Sequence, residues 1–213
     1  MSRNTYTERG YLMTNVSNPS GSSSITLTRS QLFNMTLLVE GVMLIAGVGI
    51  ALWRDAPFWG LSSVNTQTLL IGLAAALPPL VIVIGATESN TKIGERARAD
   101  FGPVIEMFQN ASLLDILFVS CMAGICEEAL FRGALQIWAI DLWGLAAGLI
   151  IISIVFGFAH FLSWSYFVFA TTIGAYLGLV YIWTDSLFAA MVAHAAYDFV
   201  ALLYGKRFRH TWT

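Results

Sequence analysis

Charged side chains are scarce in this chain. Only 11% of its 213 residues are Asp, Glu, Lys or Arg, whereas a soluble domain usually carries about 25%. Hydrophobic residues make up 57% of the sequence. This composition excludes an ordinary soluble domain and indicates an integral membrane protein.

Cysteine and clustered basic residues are also scarce. Cys121 and Cys126 lie five positions apart, a spacing that matches no common zinc or redox motif, and we interpret them as small buried hydrophobic residues. The net charge is −2 and no basic stripe is present, so we expect no nucleic-acid partner. Residues 1–24 are polar and lack the apolar stretch of a secretory signal, which predicts a disordered tail.

Six apolar segments have the length that a bilayer requires, about 17–25 residues. They lie at about 31–52, 65–86, within 111–140, and at about 143–163, 165–184 and 187–204. We therefore predict an all-α membrane protein, a bundle of about six transmembrane helices. Pro78-Pro79 should kink the second helix. The third segment is too long for one straight crossing and should tilt, break or project, whereas 90–110 is polar and predicts a loop with a short interfacial helix.

The basic residues are distributed unequally between the two sides of such a bundle. With six spans, one side would hold both termini and nine basic residues: Arg3, Arg9, Arg29, Lys92, Arg96, Arg98, Lys206, Arg207 and Arg209. The other side would hold Arg54 alone. Basic residues favour the cytoplasmic side, so we predict an integral protein of a bacterial or archaeal cell membrane with both termini cytoplasmic.

Small residues recur one helical turn apart in two of the predicted spans. Gly144 and Gly148 form one such pair, and Gly174 and Gly178 form another. Ridges of small residues let helices approach closely. We expect them to serve packing within the bundle, with a homodimer as the alternative.

Two adjacent carboxylates, Glu127 and Glu128, interrupt the third apolar segment. A charged group at the centre of a bilayer costs about 2.5–3.5 kcal/mol, so such groups persist when they pair, face a protein interior or do chemistry. Arg132 follows Glu128 by four residues, which places both on one helical face, where the guanidinium can neutralise the carboxylate.

Two histidines lie in later apolar segments. Phe156 and His160 share a helical face, as do His194 and Asp198, so Asp198 is placed to hydrogen-bond His194 and hold its tautomer or charge. Glu40, in the first span, has no obvious partner and is predicted to be a structural or pore-facing acid. Carboxylates, imidazoles and an arginine in apolar segments indicate a water-handling catalytic site inside the membrane.

At these positions the chain resembles the CPBP family, also called Abi or CAAX-protease-like proteins. The resemblance covers about residues 111–204 and rests on three motifs in chain order: Glu127-Glu128-Ala-Leu-Phe-Arg132, Phe156-Gly-Phe-Ala-His160 and His194-Ala-Ala-Tyr-Asp198. Together with the apolar segments and the charge placement, it predicts an organisation of four parts: a disordered cytoplasmic tail at 1–30, two accessory helices and a polar loop at 31–110, a catalytic core of four helices at 111–204, and a basic cytoplasmic tail at 205–213.

The resemblance implies an intramembrane endopeptidase of the glutamic type that needs no cofactor. Glu127 would act as a general base on a water molecule, assisted by His160. Arg132 would hold the acidic pair ionised and oriented. His194 and the residue at 198 would stabilise the oxyanion of the tetrahedral intermediate.

Position 198 departs from the family pattern, because many members have Asn where this chain has Asp198. An amide can donate a hydrogen bond to an oxyanion, whereas an ionised carboxylate would repel it. Either Asp198 stays protonated, or it supports a positively charged His194 whose N–H reaches the oxyanion. We favour the second role.

Three other functions compete with this interpretation. A zinc protease could use four side chains as metal ligands: Glu127, His160, His194 and Asp198. No His-Glu-xx-His helix is present. A membrane immunity or scaffold protein would use the motifs structurally. A proton-coupled carrier is a third reading, since buried acids and histidines also mark proton relays. For the enzyme, the expected partners are the lipid bilayer and a membrane-associated peptide or protein substrate.

Overall fold

The computed structural model describes residues 26–55 and 64–211, and within these ranges every regular element is a helix. The first four are α1 (Arg29–Trp53), α2 (Thr66–Ala75), α3 (Leu77–Glu88) and α4 (Lys92–Met107). They are followed by α5 (Leu113–Glu128), a π-helical segment (Ala129–Gln136), α6 (Ile137–Trp143), α7 (Leu145–Ala159), α8 (Trp164–Thr184), α9 (Leu187–Phe208) and a 3₁₀ turn (Arg209–Thr211). The predicted all-α fold is confirmed. Most of the predicted tail at 1–30, with Arg3 and Arg9, lies outside the described residues.

Four helical stretches of the described chain are long and apolar enough to cross a membrane: α1, α2 together with α3, α8 and α9. Helix α7 is apolar and shorter, with 15 residues. The long third segment is one continuous helical stretch from Leu113 to Trp143, interrupted only in its hydrogen-bond pattern by the π-helical segment. Outward-facing side chains such as Leu38 and Ile45, 67% and 74% exposed, offer the apolar surface that lipid requires.

The second span is interrupted where its prolines lie. Helix α2 ends at Ala75, and α3 begins at Leu77 with Pro78 and Pro79 in its first turn. A proline lacks the N–H that would bond to the preceding turn, so the helix is interrupted there, as the sequence predicts.

Two ion pairs show that α1 runs in the same direction as the stretch from α5 to α6. Arg29 Nε lies 2.8 Å from Asp115 Oδ1 where α1 and α5 begin. Arg54 Nη2 lies 2.8 Å from Asp141 Oδ2 where α1 and α6 end. Residues of α1 and α5 that lie equally far along their helices from Arg29 and Asp115 therefore lie at the same depth in the bundle.

The end of α9 lies at the same end of the bundle as the start of α1. Three contacts place it beside the ends of α3 and α4 and the start of α5: Tyr204 with Glu88, Lys206 with the Ala111 carbonyl oxygen, and Arg209 with Glu106. Helix α9 continues to Phe208, four residues past its predicted end. The first and last described residues therefore share one end, as an even number of crossings requires.

Small residues bring α9 into the middle of the bundle. Ala189 and Ala190 are fully buried, and Ala193 is nearly so. A Cβ atom at Gly124 of α5 would lie 2.7 Å from the Met191 carbonyl oxygen of α9, so only glycine permits this approach. The close contact forms one turn before the acidic pair and sets the distance between α5 and the histidine of α9.

The glycines of α8 also pack within the bundle. A Cβ at Gly174 would meet the Phe156 ring at 3.1 Å, and one at Gly178 would lie 2.5 Å from the Gln136 side chain. Gly144 belongs to no such ridge, because it forms the turn between α6 and α7 with a φ of +82°. Use of the glycines inside one chain is confirmed at α8, and the homodimer stays a prediction.

The described contacts predict opposite locations for two reporter fusions. A reporter joined after Asp185, in the turn between α8 and α9, should lie across the membrane from one joined after Thr211, because α9 separates these points. Paired alkaline phosphatase and fluorescent-protein fusions measure the two locations. A fusion after Ser163, before α8, should match Thr211 and serves as the control. The same readout at Asp185 and Thr211 would contradict the described bundle.

Candidate active site

The two acids of the first motif lie where the helix geometry changes. Helix α5 ends at Glu128, and the π-helical segment that follows carries Arg132 and Gln136. A π-helical turn is wider than an α-helical turn and is frequent at functional sites. No pattern in the sequence predicted this segment.

Glu128 and Arg132 form a fully buried ion pair. Arg132 Nη1 donates to Glu128 Oε1 at 2.6 Å, and the two side chains are 1% and 0% exposed. Arg132 also donates through Nη2 to the Gly174 carbonyl oxygen of α8 at 2.8 Å and lies over the Phe156 ring, 4.5 Å from its centroid. The pairing expected from the four-residue spacing is present, and it also ties the π-helical segment to α7 and α8.

His194 of α9 completes this network. Its Nδ1 lies 2.8 Å from Glu128 Oε1, and its Nε2 lies 3.5 Å from Asp198 Oδ2. Because a carboxylate paired with arginine only accepts hydrogen bonds, Nδ1 carries the hydrogen and donates it to Glu128. Glu128 therefore sets the orientation of the ring, a role that the sequence had suggested for Asp198. Asp198 lies instead at the opposite nitrogen, nearer the cavity.

Glu127 points away from this network and toward His160. Its Oε2 lies 3.3 Å from His160 Nε2. His160 Nδ1 donates to the Phe156 carbonyl oxygen at 2.9 Å, and its ring stacks on the Phe156 ring with centroids 4.4 Å apart. His160 follows the last residue of α7, Ala159, so its side chain is free of the helical arrangement and turns its Nε2 toward the carboxylate.

A cavity of about 240 Å³ lies beside these groups. Its wall includes five acidic or histidine side chains: Glu40, Glu127, His160, His194 and Asp198. Most of the remaining wall is aliphatic or aromatic. The ion pair of Glu128 and Arg132 lies behind the wall. The structure thus brings all six predicted residues together, with four facing the cavity and two supporting them.

Two residues belong to the site beyond those six. Gln136 is buried and donates from Nε2 to the Gly178 carbonyl oxygen at 3.2 Å, one step along α8 from the Arg132 contact. Gln136 follows Arg132 by four residues in the sequence, and this spacing could have identified it as a neighbour of the ion pair. Glu40 of α1, 7% exposed, lines the cavity. Its position in the middle of an apolar span had marked it in the sequence as a structural or pore-facing acid. The structure places it facing the cavity.

A pre-formed metal centre is not found in the part of the chain that the structure describes. Among residues 26–55 and 64–211, no group of three or more His, Cys, Asp or Glu side chains is arranged to hold a metal ion. Among the site residues, Glu127 pairs with His160 and Glu128 pairs with His194.

Comparison with known proteins gives one family match that includes this site. The model of the family described as type II CAAX prenyl endopeptidase Rce1-like matches residues 109–200. The uncharacterized protein YpbD of Bacillus subtilis is 38% identical over 95 residues, which are 45% of this chain and 48% of that protein. The alignment therefore spans about half the length of this curated relative. No solved structure matches the chain. Residues 109–200, which contain all six predicted site residues, are thus similar to the type II CAAX prenyl endopeptidase Rce1-like family.

Proposed function

We propose that this protein is an intramembrane endopeptidase of the glutamic type, which hydrolyses a peptide bond of a membrane-associated peptide or protein. The observation that carries the proposal is the facing pair of Glu127 and His160, 3.3 Å apart on the wall of a cavity within the helical bundle. The family match at residues 109–200 supports peptidase chemistry at this site.

Water activation falls to Glu127 and His160. The bond from His160 Nδ1 to the Phe156 carbonyl directs Nε2 to the cavity. A water molecule held between Nε2 and the Glu127 carboxylate gives its proton to Glu127, and its oxygen forms a bond to the carbonyl carbon of the scissile peptide. The tetrahedral intermediate then breaks its C–N bond as the proton passes from Glu127 to the leaving amine.

His194 is the group placed to stabilise the oxyanion. Glu128 holds Nδ1, so the Nε2 edge faces the cavity and Asp198. With carboxylates at both nitrogens, a charged ring presents an N–H at Nε2 that can donate to the developing oxyanion. Asp198 thus acts through His194, as the sequence argument favoured.

The ion pair behind the wall keeps these groups in place. Arg132 neutralises Glu128 and binds the α8 backbone, so Glu128 can hold His194 without leaving a lone buried charge. Its role is to position His194, whereas Glu127 meets the water.

We place both ends of the chain in the cytoplasm. At the end of the bundle where α1 begins and α9 finishes, the described residues include seven basic side chains: Arg29, Lys92, Arg96, Arg98, Lys206, Arg207 and Arg209. Arg54 lies at the other end. The excess favours a cytoplasmic location in a cell membrane, which an inactive alkaline phosphatase after Thr211 would support.

Glu127→Gln should abolish cleavage. Glutamine keeps the shape of the side chain and cannot take a proton from water, so turnover should fall by at least about 10²-fold. Comparative peptidomics of cells that carry the wild-type or the variant protein should show one or more intact membrane peptides that accumulate with the variant.

The matched control is the Glu95→Gln variant, which changes an exposed residue of α4. This variant should cleave the membrane peptides at the wild-type rate. Immunoblots should show equal membrane levels for the three proteins. Unchanged peptide profiles with Glu127→Gln would point instead to a non-catalytic immunity or scaffold protein.

Activity should survive exhaustive chelation. In the proposed mechanism Glu127 and His160 activate water without a Lewis acid. The purified full-length protein, assayed on the peptide that accumulates with Glu127→Gln, should keep its rate after dialysis against a strong chelator. Loss of activity that zinc alone restores would establish the metalloprotease mechanism in its place.

Asp198→Ala should reduce the rate by about 10²-fold or more, as the loss of an oxyanion-stabilising contact does. Asp198→Asn should retain much more activity than Asp198→Ala, because the amide supplies a donor at the same place. Initial rates on the same peptide measure both. Equal rates for wild type, Asn and Ala would remove Asp198 from the site and weaken the role given to His194.

A further inference from the structure

The cavity contains a carboxyl group that the proposed reaction does not use. Glu40 belongs to α1, outside the matched residues 109–200. It lines the cavity, is 7% exposed, and its Oε2 atom is buried with no hydrogen-bond partner among the described residues. A buried polar atom without a partner costs free energy, so its retention needs an explanation.

Glu40 and Glu127 lie at the same depth in the bundle. Helices α1 and α5 run in the same direction from the ion pair of Arg29 and Asp115. Glu40 lies eleven residues beyond Arg29, about 16 Å along the helix, and Glu127 lies twelve residues beyond Asp115, about 18 Å. Both acids therefore reach the cavity at the level of the proposed reaction.

The position of α1 is fixed by close packing. A Cβ atom at Gly47 would lie 3.0 Å from the Leu130 Cα atom of the π-helical segment. Gly47 follows Glu40 by seven residues, two turns along the same face. The backbone contact thus holds Glu40 against the cavity.

The cavity is acidic. Three carboxyl groups line it, from Glu40, Glu127 and Asp198, and none of its described lining residues is Lys or Arg. The two histidines already face other acids, His160 facing Glu127 and His194 lying between Glu128 and Asp198. Glu40 therefore remains as the acid that can pair with a bound cation. Such a pair is strong because charges attract more at the low dielectric of the cavity wall.

We infer that Glu40 is a specificity-determining residue, which binds a basic side chain or an amine of the substrate close to the scissile peptide bond. The inference rests on the proposed peptidase function. It assigns the accessory helix α1 a direct contact with substrate, while the matched region supplies the reacting groups.

The experiment uses the purified full-length protein and the peptide that accumulates with Glu127→Gln. Two synthetic series replace each residue flanking the scissile bond, one with Lys and one with Met, which has a similar length and no charge. For wild-type protein, one Lys position should give the lowest KM. Glu40→Gln should raise the KM of that peptide about 10-fold or more, as the loss of a charged hydrogen bond does. The value of kcat, and both constants for the Met peptide, should change less than twofold.

Glu40→Asp serves as the second variant, because it keeps the charge on a shorter side chain and should restore part of the Lys preference. Thermal unfolding in detergent shows whether each variant is folded. Equal kinetic changes for the Lys and Met peptides, or no change at all, would overturn the inference and leave the peptidase proposal standing. Failure of the purified wild-type protein to cleave the accumulated peptide would overturn the peptidase proposal itself.

Discussion

The site depends on one carboxylate oxygen, Glu128 Oε1. It accepts hydrogen bonds from Arg132 within the π-helical segment and from His194 of α9, and Arg132 continues the network to the Gly174 carbonyl of α8. Four helical elements thus meet through one buried charge. Removal of one partner from a buried pair costs about 3–5 kcal/mol, because the other charge is left unpaired in an apolar interior. The network therefore has to form as a whole.

Close backbone approach makes this network possible. Gly124 lets α5 contact the Met191 backbone of α9, and Gly178 leaves room for the Gln136 side chain beside α8. A hydrogen bond has a reach of about 3 Å, so a larger residue at either contact would separate the donors from their acceptors. Small residues in the membrane-spanning helices act here as geometric determinants of the polar site.

Neighbouring acids have different tasks because they point in different directions. Glu127 faces the cavity and His160, whereas Glu128 lies behind the wall with Arg132. The first acid can meet water, and the second is shielded from it. Glu40 adds a carboxyl group from a helix that lies outside the family match, so the cavity joins residues of the matched region to a side chain of α1.

The amino-acid sequence by itself determined the membrane class, the proline break between α2 and α3 and the pairing of Glu128 with Arg132. These features follow from composition or from spacing within one helix, where a side chain meets its neighbour four residues away. Only the tertiary structure decided that Glu128 binds His194, 66 residues away, that the chain is π-helical after Glu128, and that Glu40 joins the cavity. Such contacts depend on the distance between helices and on their relative depth in the bundle. The spacing of residues along the chain predicts neither quantity.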